Sequence, residues 1–229
     1  MPTGVALLWS GGKDAALAYQ TLHQDMHFQV KALITTLSAD GQWVPMHGIH
    51  RDVVAAQAEA LGIPWIPVPL PDEPSNTEYE AALQRAFATH LPSSVTALAA
   101  GDIFLDDVRA YRARLFESCG YEALFPLWSA NVTRWPGRWA EARGTALISS
   151  VDPSQLAPTY IGRRYDAATV NSLPPAVDAA GETGAFHTVV TNLNEFAAPV
   201  RVRLDPHDAT GFTVCAPVRL ARFSVIRQT

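Results

Sequence analysis

The 229-residue sequence has few cysteines and contains no long apolar run. Its two cysteines, Cys119 and Cys215, lie far apart and form no C-x-x-C pair. This argues against a disulfide framework or a zinc site and favours a reducing cytosol. No apolar run approaches the roughly 20 residues that cross a membrane, and the first residues lack the basic segment of a signal peptide. We therefore expect a cytoplasmic protein with no membrane partner.

Positive charge is scarce as well. Seventeen Lys and Arg residues stand against 22 Asp and Glu residues, which gives a net charge of −5. No global field attracts nucleic acid, which argues against a tRNA enzyme unless a local basic patch exists. Hydrophobic residues make up 48% and charged residues 17%, an ordinary globular balance that suits one large or two small domains.

The chain is organised around its first strand and the turn that follows. Residues 5–9 are apolar, and five residues then lead into an Ala- and Leu-rich helix: Ser10, Gly11, Gly12, Lys13 and Asp14. Two adjacent glycines let the backbone approach an anion, and the positive end of the helix points to the same place. Lys13 adds a positive charge, and Asp14 is a candidate magnesium ligand. The pattern predicts a phosphate-binding loop.

The usual phosphate motifs do not fit this turn, since neither G-x-x-x-x-G-K-[ST] nor G-x-G-x-x-G occurs here. S-G-G-K-D directly after the first strand resembles the pyrophosphate loop of ATP pyrophosphatases, which cleave ATP between the α and β phosphates. The structural alternative is a tight turn without a ligand. The sequence departs from the usual pattern at Ala15, where a serine would add one hydroxyl contact to phosphate.

Strands and helices alternate along the first half of the chain. We expect strands at residues 5–9, 30–37, 64–68 and 95–100, and helices at residues 15–22, 52–62, 78–90 and 104–120. Residues 121–128 are typical of a closing strand or a tight turn. Four alternations predict an α/β fold with a doubly wound parallel sheet. The composition then changes, which predicts a boundary near residues 128–132 between domains of residues 1–130 and 131–229.

Polar residues at the carboxyl ends of these strands predict the rest of a site, because ligands bind at that edge of a parallel sheet. Thr35 lies near the end of the second strand, and Gly101 and Asp102 follow the fourth. An aspartate there suits a metal or a ribose, with a helix cap as the alternative. Arg109 and Arg112 lie three apart on the next helix and could reach an anion, although helix arginines are most often solvated.

Three other side chains leave two interpretations open. His47 precedes a helix on the presumed ligand edge, where contact with a ligand and simple packing are equal alternatives. Glu182 and His187 flank a glycine turn and could bind an amine or share protons, or simply belong to a hairpin. The tail, residues 201–228, alternates apolar and polar residues and predicts antiparallel strands with a turn at residues 208–211.

Five stretches together resemble the diphthine–ammonia ligase family, also described as adenine nucleotide α-hydrolase-like proteins: SGGKDAALA, AEALGIPW, GDIFLDDVR, LFPLW and GETGAFHT. The resemblance implies a HUP-type sheet that binds ATP and a smaller C-terminal α+β domain that helps to form the substrate pocket. The implied activity is amide formation in diphthamide synthesis. A carboxylate attacks the α-phosphate, pyrophosphate leaves, and ammonia then displaces AMP.

The resemblance also implies roles for particular residues. The loop from Ser10 to Asp14 would bind the triphosphate of ATP with Mg²⁺, and Asp14 would be a metal ligand. Gly101 and Asp102 would line the nucleotide or metal side. Arg109 would lie on the substrate side and is also counted among the residues that bind the nucleotide. Thr35, on the same edge, would contact the nucleotide. The catalytic residues are expected to be Lys13, Asp102, Glu182 and His187.

The implied partners are ammonia and a carboxylate that is either a small molecule or carried on a protein. Ala185 replaces a second acid of the family pattern, which puts the acceptor in question more than the ATP chemistry. Diphthine occurs in eukaryotes and archaea, so a bacterial protein would use another carboxylate. Two other functions stay open, a non-catalytic adenine-nucleotide sensor and a tRNA-modifying enzyme, and so does a homo-oligomer.

Overall fold

The structure, a computed structural model, describes residues 1–128, 135–205, 212–214, 216–220 and 222–225. The strands are β1 Thr3–Leu8, β2 Phe28–Leu37, β3 Trp43–Val44, β4 Ile49–His50, β5 Trp65–Pro69, β6 Val95–Ala99, β7 Glu122–Leu124, β8 Thr145–Val151, β9 Phe186–Asn192, β10 Val202–Asp205, β11 Phe212–Val214, β12 Ala216–Leu220 and β13 Arg222–Val225. The helices are α1 Lys13–Gln24, α2 Arg51–Leu61, α3 Asn76–His90, α4 Asp106–Ser118, α5 Trp135–Glu141 and α6 Ala167–Asn171, with a short 3₁₀ helix at Pro158–Tyr160.

Five of the strands form a parallel sheet in the order β5-β2-β1-β6-β7. The predicted doubly wound α/β fold is therefore confirmed, with β7 closing the sheet beside β6. Chain order reverses between β1 and β6. In such sheets the crevice at the carboxyl ends of the two strands flanking the reversal is where ligands bind.

Local sequence explains where the helices of this half begin and end. Gly62 ends α2 with a φ of 66°, a left-handed conformation that favours glycine. Helix α3 begins two residues before the predicted Glu78, because Ser75 and Glu78 form a reciprocal capping box. Helix α1 likewise begins at Lys13, two residues earlier than the apolar pattern predicted, so the phosphate loop runs directly into it.

The remaining strands build two further sheets, in the orders β10-β13-β4-β3 and β11-β12-β8-β9. The tail strands pair antiparallel as predicted, β10 with β13 and β11 with β12, while the turn predicted at residues 208–211 lies outside the described residues. Strand β13 also runs parallel beside β4, pairing Phe223 with Ile49. The tail thereby returns to a hairpin, β3–β4, that belongs to the first half of the sequence.

One hydrophobic cluster contains residues from both halves of the chain, including the buried side chains of Trp9, Trp135 and Phe186. A second cluster packs under α3 and α4 and includes Phe87 and Phe116. The predicted domain boundary near residue 130 stays a prediction. Across the described parts of the chain, no helix is long and apolar enough to cross a membrane.

Candidate active site

A cavity of about 390 Å³ lies at the carboxyl edge of the parallel sheet, where the loops after β1 and β6 meet. Seven of the predicted site residues line it: Ser10, Asp14, Thr35, Gly101, Asp102, Glu182 and His187. We call Ser10, Asp14, Gly101 and Asp102 the loop wall. His47, Glu182 and His187 form the turn wall, which comes from the β3–β4 hairpin, the turn before β9 and the start of β9 itself.

The phosphate loop is fixed in place by a buried glutamine that sequence analysis did not single out. Gln57 accepts a hydrogen bond from Trp9 Nε1 at 2.9 Å and donates to the carbonyls of Gly11 at 3.1 Å and Val190 at 2.7 Å. Gly11 has a φ of +82°, and a Cβ there would lie 2.8 Å from the Gln57 amide oxygen. This position therefore requires glycine.

The residue before helix α1 is its N-cap, Gly12, which has no side chain to cap the helix. Thr188, on β9, supplies the cap, since its hydroxyl accepts a hydrogen bond from Lys13 N at 3.0 Å. A Cβ on Gly12 would lie 3.0 Å from the Thr188 carbonyl oxygen and 3.2 Å from His47 Cε1. The helix start is therefore enclosed by residues distant in sequence.

Lys13 lies behind Asp14 and not among the residues that line the cavity. Its side chain is 2% exposed, and Nζ is 2.9 Å from each carboxylate oxygen of Asp14. The ammonium also lies 5.5 Å from the ring centroid of Tyr165 and 5.6 Å from that of Phe186. Trp135 Nε1 donates to the same aspartate at 3.0 Å. The predicted catalytic role of Lys13 stays a prediction.

Asp102 completes the charged part of the loop wall. It is 8% exposed, and Arg112 Nη1 donates to its two oxygens at 2.9 and 3.1 Å. Burial raises the pKa of Asp102, an effect that Arg112 opposes. A Cβ on Gly101 would lie 3.0 Å from the carbonyl oxygen of Asp14, so the two aspartate-bearing loops are in backbone contact.

Arg109 and Thr35 are placed differently from the loop-wall residues. The guanidinium of Arg109 stacks 4.5 Å from the ring centroid of Trp128 and is not among the cavity-lining residues, whereas Arg112 is. Thr35 lines the cavity, but its hydroxyl donates to the carbonyl of Trp9 at 2.6 Å and accepts from Trp65 Nε1 at 2.9 Å. Both hydrogen bonds of that hydroxyl are therefore made within the protein, where they link β2 to the residue after β1 and to β5.

Glu182 is the titratable carboxylate of the turn wall. Burial, with a contribution from the nearby charge of Asp14, raises the pKa of Glu182 to about 7. Its Oε1 accepts a hydrogen bond from Ile103 N at 3.3 Å, which ties the turn to the loop after β6. The turn is shaped by Asp178, which accepts hydrogen bonds from the backbone N–H groups of Glu182 and Thr183, both at 3.1 Å.

The two histidines of the turn wall are in ring contact. The centroids of His47 and His187 are 4.4 Å apart. Burial lowers the pKa of His47 to about 4 and that of His187 well below its usual value, so both imidazoles are neutral at pH 7. Of the two interpretations open for His47, contact with a ligand is the one that its place in the cavity wall favours.

A magnesium ion fits this cavity only together with phosphate. Within the described ranges, no group of three or more His, Cys, Asp or Glu side chains is arranged to hold a metal. Mg²⁺, however, usually takes one or two carboxylates, several waters and the phosphates of its nucleotide. Asp14 and Asp102 line the same cavity and match that requirement.

A doubly wound α/β sheet with an S-G-G loop after its first strand, facing two carboxylates at the chain reversal, defines the class of PP-loop proteins with a HUP-type fold. The family model for the diphthamide synthase N-terminal domain matches residues 3–122, more than half of the chain. The chain belongs to this family and is an ATP-utilising enzyme of the PP-loop type. No curated protein matches the chain.

Proposed function

We propose that this protein is an ATP-dependent ligase that activates a carboxylate by adenylation and joins it to ammonia, releasing pyrophosphate and AMP. The observation that carries the proposal is the juxtaposition in one cavity of an anion-binding loop, two aspartates and a glutamate that titrates near neutrality. A nucleotide-binding module needs the first two features. The third is typical of sites that move protons.

The loop wall serves the first half of the reaction. The acceptor carboxylate attacks the α-phosphorus, and the bond from that phosphorus to the bridging oxygen of the pyrophosphate breaks. Thr188 accepts from the N–H of Lys13, so the next N–H groups in the first turn of α1 stabilise the departing anion. Asp14 and Asp102 would hold Mg²⁺, which, when bound, neutralises charge that develops on the phosphate oxygens. Arg112 keeps Asp102 oriented through its two contacts.

The turn wall serves the second half. Ammonia attacks the acyl carbon of the adenylate, the bond from that carbon to the AMP oxygen breaks, and the nitrogen must lose a proton to become a neutral amide. Near pH 7 about half of the Glu182 side chains are ionised, so this carboxylate can accept the proton and return it to solvent. His187, neutral at the same wall, can accept a hydrogen bond from the attacking ammonia without taking up its proton.

The acceptor carboxylate is proposed by chemical class, either a small molecule or an acid carried on a protein, with diphthine as the acceptor only where diphthamide is made. A cytoplasmic location belongs to the same proposal. The described residues carry no membrane-spanning helix, which is compatible with it. The tRNA-modifying alternative has no support from the overall charge of −5.

The test is release of AMP and pyrophosphate from ATP and magnesium in the presence of ammonium and a panel of carboxylic acids. Hydroxylamine added in place of ammonium traps an acyl-adenylate as a stable hydroxamate, which identifies the acceptor directly. Asp14→Asn should abolish AMP release, and Asp72→Ala, an exposed loop aspartate, is the matched control. ADP as the product, or tight ATP binding with no AMP from any acid, would overturn the proposal and favour the nucleotide sensor.

A further inference from the structure

His47 has a polar atom that the described protein does not satisfy. Its Nδ1 is buried and has no hydrogen-bond partner among the described residues. A buried polar group normally has a partner, because leaving it unpaired forfeits the hydrogen bond that it made with water. The side chain lines the cavity, with the backbone of Thr188 beside its ring.

The backbone beside this ring is held in a strained conformation. Met46, the residue before it, has a φ of 64°, an uncommon conformation for a side chain other than glycine. The hairpin turn is fixed from outside, because the Ser150 hydroxyl donates to the Met46 carbonyl at 2.7 Å. His187 supports the ring from one side, with centroids 4.4 Å apart. Strain retained at one position of a cavity wall is typical of a functional site.

The ring lies against the start of the phosphate loop. A Cβ built on Gly12 would be 3.2 Å from His47 Cε1 and 3.4 Å from Nδ1. Gly12 is the cap residue of α1, and the N–H groups of the first helical turn concentrate positive potential there. A ligand atom that meets both this helix start and His47 is therefore an anionic oxygen.

We propose that His47 binds a phosphate oxygen of the nucleotide beside Gly12, as a neutral hydrogen-bond donor contributed by the β3–β4 hairpin. Identifying that group as part of the pyrophosphate that leaves rests on the proposed function. A neutral imidazole carries one N–H, which can donate to an anionic acceptor without placing another positive charge in the cavity. Low basicity of the ring keeps it in the neutral form at pH 7.

The test compares the binding of three ligands by calorimetry: α,β-methylene-ATP, inorganic pyrophosphate and AMP, each with magnesium. His47→Asn should weaken the first two about tenfold, the usual range for a hydrogen bond to a charged group, and change AMP binding less than about twofold. His50→Asn is the matched control. His50 lies on the same hairpin, is not among the lining residues, and caps α2, a role that asparagine keeps.

A second variant tests the same contact from the other side. Gly12→Ala places a methyl group between the loop and the His47 ring, and should weaken pyrophosphate binding in the wild-type background more than in the His47→Asn background. Should His47→Asn fail to fold, His47→Gln and Gly12→Ala provide the comparison.

Unchanged affinity for the ATP analogue and pyrophosphate in a folded His47 variant would overturn the inference and leave the ligase proposal untouched. The opposite combination of results separates the two proposals as well. Tenfold weaker binding in His47→Asn, in a protein that never forms AMP, would overturn the ligase proposal while the His47 contact stands. Wild-type protein that binds neither phosphate ligand would overturn both.

Discussion

The loop wall and the turn wall of the cavity differ in whether their ionisable side chains have partners of opposite charge. In the loop wall each carboxylate has a cationic partner, Lys13 for Asp14 and Arg112 for Asp102. In the turn wall Glu182 accepts only a backbone N–H bond among the contacts described, and the two histidines touch each other. Without a cationic partner, burial raises the pKa of Glu182 to about 7 and lowers the pKa of both histidines.

This difference separates two tasks within one site. A wall whose carboxylates are each paired with a cation suits magnesium and phosphate, which carry charge throughout the reaction. A wall of groups that are neutral or half-ionised at pH 7 suits proton transfer and neutral hydrogen bonding. The comparison can be tested by substituting one member of an ion pair in the loop wall and the titrating glutamate in the turn wall.

The largest effect is expected from Asp14→Ala, which removes the partner of a lysine that is only 2% exposed. An uncompensated buried ammonium should lower the free energy of unfolding by about 3 kcal/mol. Urea denaturation measures this, with Asp72→Ala as the exposed control, for which a change below about 0.5 kcal/mol is expected. Equal stability of the two variants would show that Lys13 does not depend on the ion pair.

The next effect is expected from Glu182→Gln, which removes the group with a pKa of about 7. In the wild type, amide formation at a constant concentration of free ammonia should rise with pH through about 7 as Glu182 ionises. The variant should lose that rise and be slower by about 10²-fold above pH 7. The pH profile of hydroxamate or amide formation is the measurement. If the variant keeps the same rise with pH, Glu182 is not the proton acceptor and another group has that role.

A smaller effect is expected from Lys13→Met, because the ammonium lies behind Asp14. Its loss should leave ATP affinity without metal within about twofold and reduce the affinity for magnesium-bound ATP about tenfold, the low end for a residue that supports a metal ligand. Calorimetry with and without magnesium separates the two. Trp135→Phe, which removes the second donor to Asp14, should act in the same direction. A large loss of metal-free affinity would make Lys13 a direct phosphate ligand.

The smallest effect, when measured per pH unit, is expected in the pH dependence of stability. The pKa of His47 falls from 6.5 to about 4 on folding, so between these values the unfolded chain binds the proton and the folded protein does not. Stability is therefore present above pH 6.5 and declines as the pH falls toward 4, by less than about 1.4 kcal/mol per pH unit for one proton. His47→Asn should flatten this decline in urea titrations, and an unchanged slope would contradict the burial of the ring.

The loop wall was largely predictable because its parts are local. An apolar strand, two glycines and a helix specify an anion site within one short stretch, and the carboxyl ends of parallel strands meet at one edge wherever such a sheet forms. Ser10, Asp14, Gly101 and Asp102 follow from that rule. Arg109 shows the limit of prediction from sequence, because the sequence does not indicate which of two arginines three residues apart on a helix faces the site. Packing on Trp128 kept Arg109 out of the lining, and Arg112 lines the cavity.

The turn wall could not be predicted to the same degree because its members come from separate elements. His47 is presented by a hairpin, and Glu182 and His187 flank the turn before β9. The sequence indicated the role of Gln57 only weakly, through one polar side chain on the otherwise apolar buried face of α2. Thr188 gave none, although it caps the start of α1.

Local sequence patterns specify the parallel sheet, the phosphate loop and the acid that follows β6, since periodicity and turn chemistry act over a few neighbouring residues. Tertiary packing placed Lys13 behind Asp14 and paired Arg112 with Asp102. It also decided that Glu182 titrates near pH 7 while His47 stays neutral. Those properties depend on burial and on partners up to 175 residues apart, such as Lys13 and Thr188, which no local pattern contains.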